Sequence, residues 1–255
     1  MTASLITVRA GDAVCKRRCE FDLRAGISLL ILLFAVACGR GSTATPNTYS
    51  TTFPATENPI SEGGKWVNGG TTGLDWTNIL TLANVKAYGS STGSGQGYDD
   101  STAVLQNIGF TWGPNQTATG VVYLNSSGNA HDPEVELLLN FTIAAHNATG
   151  YVCDYSVKND GTQYFGIGRW NGPFGNFTPI TTTVTGITPL ANGERITCNR
   201  VGSTLYMYRG NGTLITSVVD TTYTGGSPGI GTDLDTNGSS INGTFGFSSF
   251  LASGE

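Results

Sequence analysis

The stretch 134–172 constrains this chain most. Val135, Leu137, Leu139 and Phe141 share one parity. So do Tyr151, Cys153, Tyr155 and Val157, with Val152, Asp154 and Ser156 between them. Successive side chains of a strand point to opposite sides, so a period of two marks strands with one buried and one wet face. The spacing predicts strands over 135–141, 151–157 and 164–170. His146-Asn147-Ala148-Thr149-Gly150 and Asn159-Asp160-Gly161 supply the turns between them. The centre of the chain therefore reads as an antiparallel meander.

The flanking sequence repeats the pattern in shorter pieces. Apolar runs that read as strands fall at 79–82, 85–88, 101–105, 118–123, 194–201, 204–209, 215–220, 229–232 and 244–251. Asn211-Gly212 between two of them favours the positive φ values of a tight hairpin. Thr51-Thr52-Phe53 reads as a first strand beside the C-terminal one. Only 12% of residues are charged, about half the usual share, while 36 of 255 are glycine. That composition could mean low complexity, but aromatic and branched residues are spread throughout the chain beyond residue 64. No helix of normal length and no internal repeat is visible. About a dozen short strands predict an all-β, two-sheet antiparallel sandwich in a single domain.

The N-terminus has a different character. Residues 1–26 carry Arg9, Lys16, Arg17, Arg18 and Arg24, and 27–37 is an apolar run ending at Cys38. Eleven apolar residues are too few to span a bilayer as a helix, which needs about 20. A basic flank, a short apolar core and Ala35-Val36-Ala37 fit a signal peptide over 1–37. Ala35-Val36-Ala37-Cys38 resembles a bacterial lipobox, with Ala35 where that pattern usually has Leu. The resemblance implies a lipid on Cys38 and an exported lipoprotein of the outer membrane or cell surface. Plain secretion is the alternative. Residues 38–57, rich in Ser, Thr and Pro, read as a flexible tether, leaving 58–255 for the sandwich. The formal net charge is −5; without the leader's five basic and three acidic residues it becomes −7. There is no basic patch, so no nucleic-acid partner is expected.

The order Phe53, Asn58-Pro59, Gly64-Lys65-Trp66, then Glu134-Val135-Glu136-Leu137, Gly150-Tyr151, Arg169-Trp170, the hairpin around Asn211-Gly212 and Gly246-Phe247-Ser248-Ser249-Phe250 resembles the concanavalin A-like jelly roll. Laminin-G-like domains are the nearest sort. The resemblance covers about residues 50–252 and implies a fold rather than an activity, because the family holds lectins, glycosidases, lyases and adhesion modules.

Several constellations could carry chemistry. Asp132, Glu134 and Glu136 alternate along one strand face. Glycosidases of this fold, as the resemblance implies, use alternating carboxylates as nucleophile, helper and acid. A retaining pair needs carboxyl groups about 5–5.5 Å apart, which alternate strand positions can reach. The bland reading is a solvated edge, with Pro133 breaking the strand at its start. Asp233, Asp235 and Asn237 form a D-x-D-x-N-G opening suited to Ca²⁺, but position twelve is Thr244 instead of the bidentate Glu; an Asx-rich turn explains it as well. Trp170 with Asn171 and Phe174, and Trp112 with Asn115, combine an aromatic plate with amides, as sugar sites do, although a single Trp is more often core. Cys153 and Cys198 could form a disulfide in an oxidising compartment or stay buried thiols.

These residues imply a surface-anchored lipoprotein, held to the membrane by its N-terminal lipid. It would bind a carbohydrate or other cell-surface polymer without catalysis and with no required cofactor, Ca²⁺ being optional. Glycoside hydrolysis through Glu134 and Glu136 and a purely structural adhesion role are the alternatives.

Overall fold

A computed structural model describes residues 46–90, 100–106, 108–125, 133–158, 160–234 and 243–255. In chain order the elements begin with β1 (Asn47–Thr51), β2 (Trp66–Asn68), α1 (Gly69–Thr72), β3 (Leu80–Leu82), β4 (Lys86–Tyr88), β5 (Asp100–Leu105) and β6 (Gln116–Leu124). The central meander follows as β7 (Glu134–Ala144), β8 (Asn147–Ser156) and β9 (Tyr164–Gly172). Then come β10 (Phe177–Pro179), β11 (Val184–Thr185), β12 (Arg195–Val201), β13 (Thr204–Arg209), β14 (Thr213–Val219), β15 (Ser227–Asp233) and β16 (Phe245–Gly254).

Two sheets result. One runs β14-β13-β12-β6-β16-β4-β3, with β1 also paired to β16; the other runs β10-β9-β8-β7-β15-β5-β2, with β11 also paired to β9. They are called here the β6 sheet and the β7 sheet. Every strand pairing within them is antiparallel. The two-sheet sandwich and the expected meander are present, as is the β13–β14 hairpin around Asn211-Gly212. The first strand does lie beside the C-terminal one, but it begins earlier than the sequence suggested. Asn47–Thr51 falls inside the segment expected to be tether. Its Thr and Ser content resembles a linker, yet Thr is at home in strands, and Tyr49 anchors it edge-on to Trp66 at 5.8 Å.

The core fills the space between the sheets. Val135, Leu137, Leu139, Tyr151, Tyr155, Phe165 and Ile167 from the β7 sheet meet Val122, Ile196, Leu205, Met207, Phe247 and Phe250 from the β6 sheet. Cys153 of β8 and Cys198 of β12 both point into this layer and are disulfide-bonded, with Cα atoms 6.0 Å apart. The bond joins the two sheets. Beside it the Tyr155 hydroxyl lies 2.7 Å from the Thr197 carbonyl and 2.9 Å from that of Tyr208, and donates between them.

One irregularity overturns a sequence expectation. Phe141 shares sequence parity with Val135, Leu137 and Leu139, yet it packs on the opposite side, with Leu138, Val152, Trp76 and Trp170. The ladder between β7 and β8 shifts by one residue between Leu139 and Thr142. Asn140, at φ 50°, is the extra residue of this bulge. Its buried polar groups are matched. The backbone N–H donates to Gln116 Oε1 at 2.8 Å, and Oδ1 accepts from Arg200 Nη1 at 2.9 Å. Gly150 is required next to it, because a Cβ there would lie 2.6 Å from the Phe141 Cα.

The disulfide closes a loop of 45 residues between two sheets. Chain-entropy arguments put its contribution at about 4 kcal/mol. Urea unfolding of the Cys153→Ala/Cys198→Ala double variant should show a loss of that order, with the slope on denaturant changed less than the midpoint.

Candidate functional site

The outer face of the β7 sheet, turned away from the β6 sheet, carries the site. Cross-strand register lays its side chains in rows. Asp100, Asp233 and Glu134 form one row. Thr102, Gly231, Glu136, Asp154 and Gly166 form the next. Val104, Gly229, Leu138, Val152 and Gly168 form the third. The third row is apolar and is covered by Leu74, Trp76, Trp170 and Phe177. The first two rows are acidic and floor a cleft of about 300 Å³.

Glycines shape this floor. A Cβ on Gly231 would run into the Glu136 carboxylate, so that carboxylate lies across the bare strand. A Cβ on Gly168 would strike the Phe177 ring, which therefore rests directly on β9. Phe177 pairs across β10–β9 with Trp170, their rings 5.2 Å apart. With Ile167, Pro179, Thr181 and Thr183 they wall the cleft opposite the acids.

The acids crowd one another. Glu134, Glu136 and Asp154 each place a carboxylate oxygen within 4.8 Å of the others. Glu136 is only 5% exposed. Burial, then the charges of Asp100, Asp154, Glu134 and Asp233, push its carboxyl well above the usual range. Burial and then Asp154 and Asp233 raise Glu134 likewise, against a hydrogen bond from the Tyr164 hydroxyl. Burial, then Asp233, lifts Asp154 from 3.8 to about 8. Such a cluster holds neutral and ionised carboxyls side by side, so it can both donate and accept hydrogen bonds.

The residues expected from the sequence part company here. Glu134 and Glu136 sit in the cleft, and the solvated-edge reading is wrong: β7 lies between β8 and β15, in the middle of its sheet. Asp233 faces the same cluster, while Asp235, Asn237 and Asp132 lie outside the described residues, as does Cys38. Trp170 touches the cleft but is 5% exposed and packs edge-on to Trp76 at 4.5 Å. Asn171 does not line the cleft; its amide donates to Asn176 O and Thr178 Oγ1 within the turn. Phe174 packs against the apolar outer cluster. Trp112 and Asn115 are not cleft residues. Trp112 is core and packs against Phe110, and Asn115 Oδ1 accepts from the Gly202 N–H at 2.7 Å. Asp154 and Tyr164 join the site without having been singled out as ligands; Phe177, set among Gly and Asn in the sequence and so a better candidate for exposure than either Trp, joins it half-buried. Asp154 had a signal, since it stands on the wet parity of its strand.

No protein-family model matches the sequence, and no curated protein matches it. Among solved structures, the chain is similar to an immunostimulatory antigen and pseudo beta-1,3-glucanase of Mycobacterium tuberculosis at 14% identity and TM-score 0.52, covering 81% of this chain and 98% of that one. The fold is a concanavalin A-like jelly-roll sandwich. A carbohydrate binding module from Bacillus subtilis aligns at 12% identity and TM-score 0.43, over 77% of this jelly roll's chain and 96% of its own. The exoplasmic/lumenal domain of VIP36, in a Ca²⁺/Man3GlcNAc-bound form, aligns at 10% and 0.46, over 73% and 81%.

The raised carboxyls set the sign of a pH effect. An acid whose folded value exceeds its unfolded one favours folding below the unfolded value, and that contribution is lost as pH rises through the folded value. For Asp154 the window runs from about pH 4 to about pH 8. In chelated buffer the melting temperature should fall across this window, and Asp154→Asn should flatten the fall. An unchanged profile in that variant would contradict the cluster.

Proposed function

We propose that the protein binds a carbohydrate, or a polymer of similar hydroxyl chemistry, in the cleft on the outer face of the β7 sheet, and does so without catalysis. The observation that carries this reading is the pairing of an apolar wall, Phe177 with Trp170 and Pro179, with a floor of carboxyl groups. A sugar ring has an apolar C–H face and a rim of hydroxyls, and a site for it needs an apolar platform with a few placed polar groups. The half-buried Phe177 offers the platform, and neutral and ionised acids match hydroxyls that donate and accept. This moves the expected sugar contacts from Asn171, Phe174, Trp112 and Asn115 to Phe177, Glu134, Glu136 and Asp154.

A second reading has its own support. Carboxyl oxygens within 4.8 Å of one another are closer to a retaining pair, about 5–5.5 Å, than to an inverting one. Hydrolysis through Glu134 and Glu136, with Asp154 as helper, would use the raised carboxyls as the acid. Purified protein should bind one glycan class on an array and release no reducing sugar from it. Phe177→Ala should weaken that binding about tenfold, the size of a lost aromatic contact. A blank array would overturn the binding reading. Reducing-sugar release abolished by Glu136→Gln would replace it with the hydrolytic one.

We further propose that the domain is exported behind residues 1–37 and anchored by a lipid on Cys38. Support comes from the basic flank, the eleven-residue apolar run and the small residues before Cys38, and a disulfide between Cys153 and Cys198 suits an oxidising compartment. Labelled palmitate should enter the membrane-bound protein and be lost in Cys38→Ala. Unlabelled, freely secreted protein would indicate plain secretion.

A further inference from the structure

Charge and exposed apolar surface divide between the two sheets. The strands of the β6 sheet carry no Asp or Glu, but they carry Lys86, Arg195, Arg200 and Arg209. The strands of the β7 sheet carry Asp100, Glu134, Glu136, Asp154 and Asp233 against Arg169 alone. Exposed large aliphatic side chains follow the same division. Among the described residues they are Leu82, Val85, Val201, Leu214, Val219 and Leu251, and all belong to strands of the β6 sheet or to the β3–β4 turn.

Register sets most of them on one face. Thr204 stands between Val201 and Val219 in one row. Leu214, Tyr208, Thr197, Thr119, Leu251 and Ser50 form another. These rows point outward, because the residues that alternate with them along the strands, Leu205, Met207, Cys198 and Ala118, are core. The rings of Tyr206 and Tyr208 lie nearly parallel here, with centroids 6.1 Å apart. Arg195 stands on the same face opposite Val121, and the Lys86 ammonium lies 5.1 Å from the Tyr88 ring centroid and 4.6 Å from that of Tyr123. Arg195 and the exposed Lys65 line a groove of about 660 Å³ beside Leu251. The carboxylate in that groove, Glu62, is half-buried and accepts from the Tyr49 hydroxyl and from Trp66 Nε1. Aliphatic side chains, tyrosines and unopposed cations together suit the boundary between lipid headgroups and acyl chains.

Chain length and charge identify the occupant. β1 belongs to this sheet and begins at Asn47, so eight residues separate it from Cys38. Fully extended they span about 30 Å, less than the width of a domain of this size, about 40 Å. A lipid on Cys38 therefore holds the sheet close to the bilayer and leaves only its orientation to be decided. Anionic headgroups repel the acidic outer face of the β7 sheet and attract the cationic one of the β6 sheet. We propose that the outer face of the β6 sheet rests on the anionic membrane that carries the lipid, with Leu214, Val219 and Leu251 at the headgroup boundary and Lys65 and Arg195 against its phosphates. This orientation turns the acidic cleft toward solution, where a polymer can reach it. It rests on the lipid reading of Cys38 and not on the glycan reading of the cleft.

Tryptophan fluorescence of the protein extracted from membranes and returned to vesicles tests it. The four native tryptophans are buried and supply a constant background. Leu214→Trp and Leu251→Trp each put a reporter at an exposed position of the docking face, and Thr71→Trp puts one on the exposed side of α1, over the β7 sheet. In phosphatidylglycerol-rich vesicles whose lipids are brominated high on the acyl chain, the first two should lose emission and Thr71→Trp should keep it. Phosphatidylcholine vesicles or high salt should lessen the loss, and so should Arg195→Glu combined with Leu214→Trp. Palmitate-labelled, vesicle-bound protein in which neither Leu214→Trp nor Leu251→Trp is quenched would overturn the docking and leave the anchor standing. Quenching confined to Thr71→Trp would overturn it too, by turning the cleft to the bilayer. Protein that takes up no palmitate would contradict the anchor; if it also stayed off the vesicles, the docking would fall with it.

Discussion

The bulge at Asn140 is the constraint on which the site depends. If the ladder ran unbroken from the Ala144–Asn147 end of the hairpin, Glu136 would stand opposite Tyr155, whose ring belongs to the core. The one-residue shift instead sets Glu136 opposite Asp154 and Leu137 opposite Cys153. A slip of one residue exchanges the faces of a strand. The same irregularity therefore puts the acids together on the outside and aims Cys153 at Cys198 on the inside. Buried polar groups hold it in place. Gln116 accepts from the Asn140 N–H and donates to the Gly113 and Gly226 carbonyls, each at 2.9 Å. Arg200, 2% exposed, donates to the Asn140 side chain, and its guanidinium lies over the Tyr151 ring. Gly150 and Gly226 leave room on either side.

Given that register, the outer face divides by chemistry. Toward the bulge it is apolar, and α1 with its following loop brings Leu74 and Trp76 to cover Phe141 and Trp170. Away from the bulge the rows turn acidic and stay open as the cleft floor. The β7 sheet thus has two apolar faces over part of its length, and one face polar over the rest. This explains why β7 reads as nearly continuous apolar sequence from Leu137 to Leu139 but carries glutamates before it. The carboxyls gather on a central strand and its neighbours, where burial and mutual repulsion raise them together. An edge strand would have let water relieve them.

Much of this was legible in the sequence, and the misses have physical causes. Alternating parity located β7, β8 and β9 and the face shared by Glu134 and Glu136. The Asn-Gly pair located the β13–β14 hairpin. Cys153 and Cys198 were each on a core parity, but their bond depends on which strands face each other across the sandwich, a long-range fact that spacing does not contain. Asp154 stood on the wet parity, yet its meeting with Glu136 depends on the bulge, and nothing local marks Asn140 as the extra residue. Phe141 was assigned to the wrong face for the same reason. Asn171 and Asn115 looked like sugar amides because composition does not show that a turn engages them. Asn47–Thr51 looked like linker because its strand character comes from pairing with β16.

The most direct test of this account is the titration of the Asp154 carboxyl carbon, followed by NMR in chelated buffer. If the bulge sets Asp154 in a buried acidic cluster, its midpoint should lie near 8, far above the ordinary 3.8, and should drop when Asp233 is replaced by Asn. A midpoint near 3.8 that ignores Asp233→Asn would mean that Asp154 faces water alone, and that the register, the cleft floor and the site built on them are wrong.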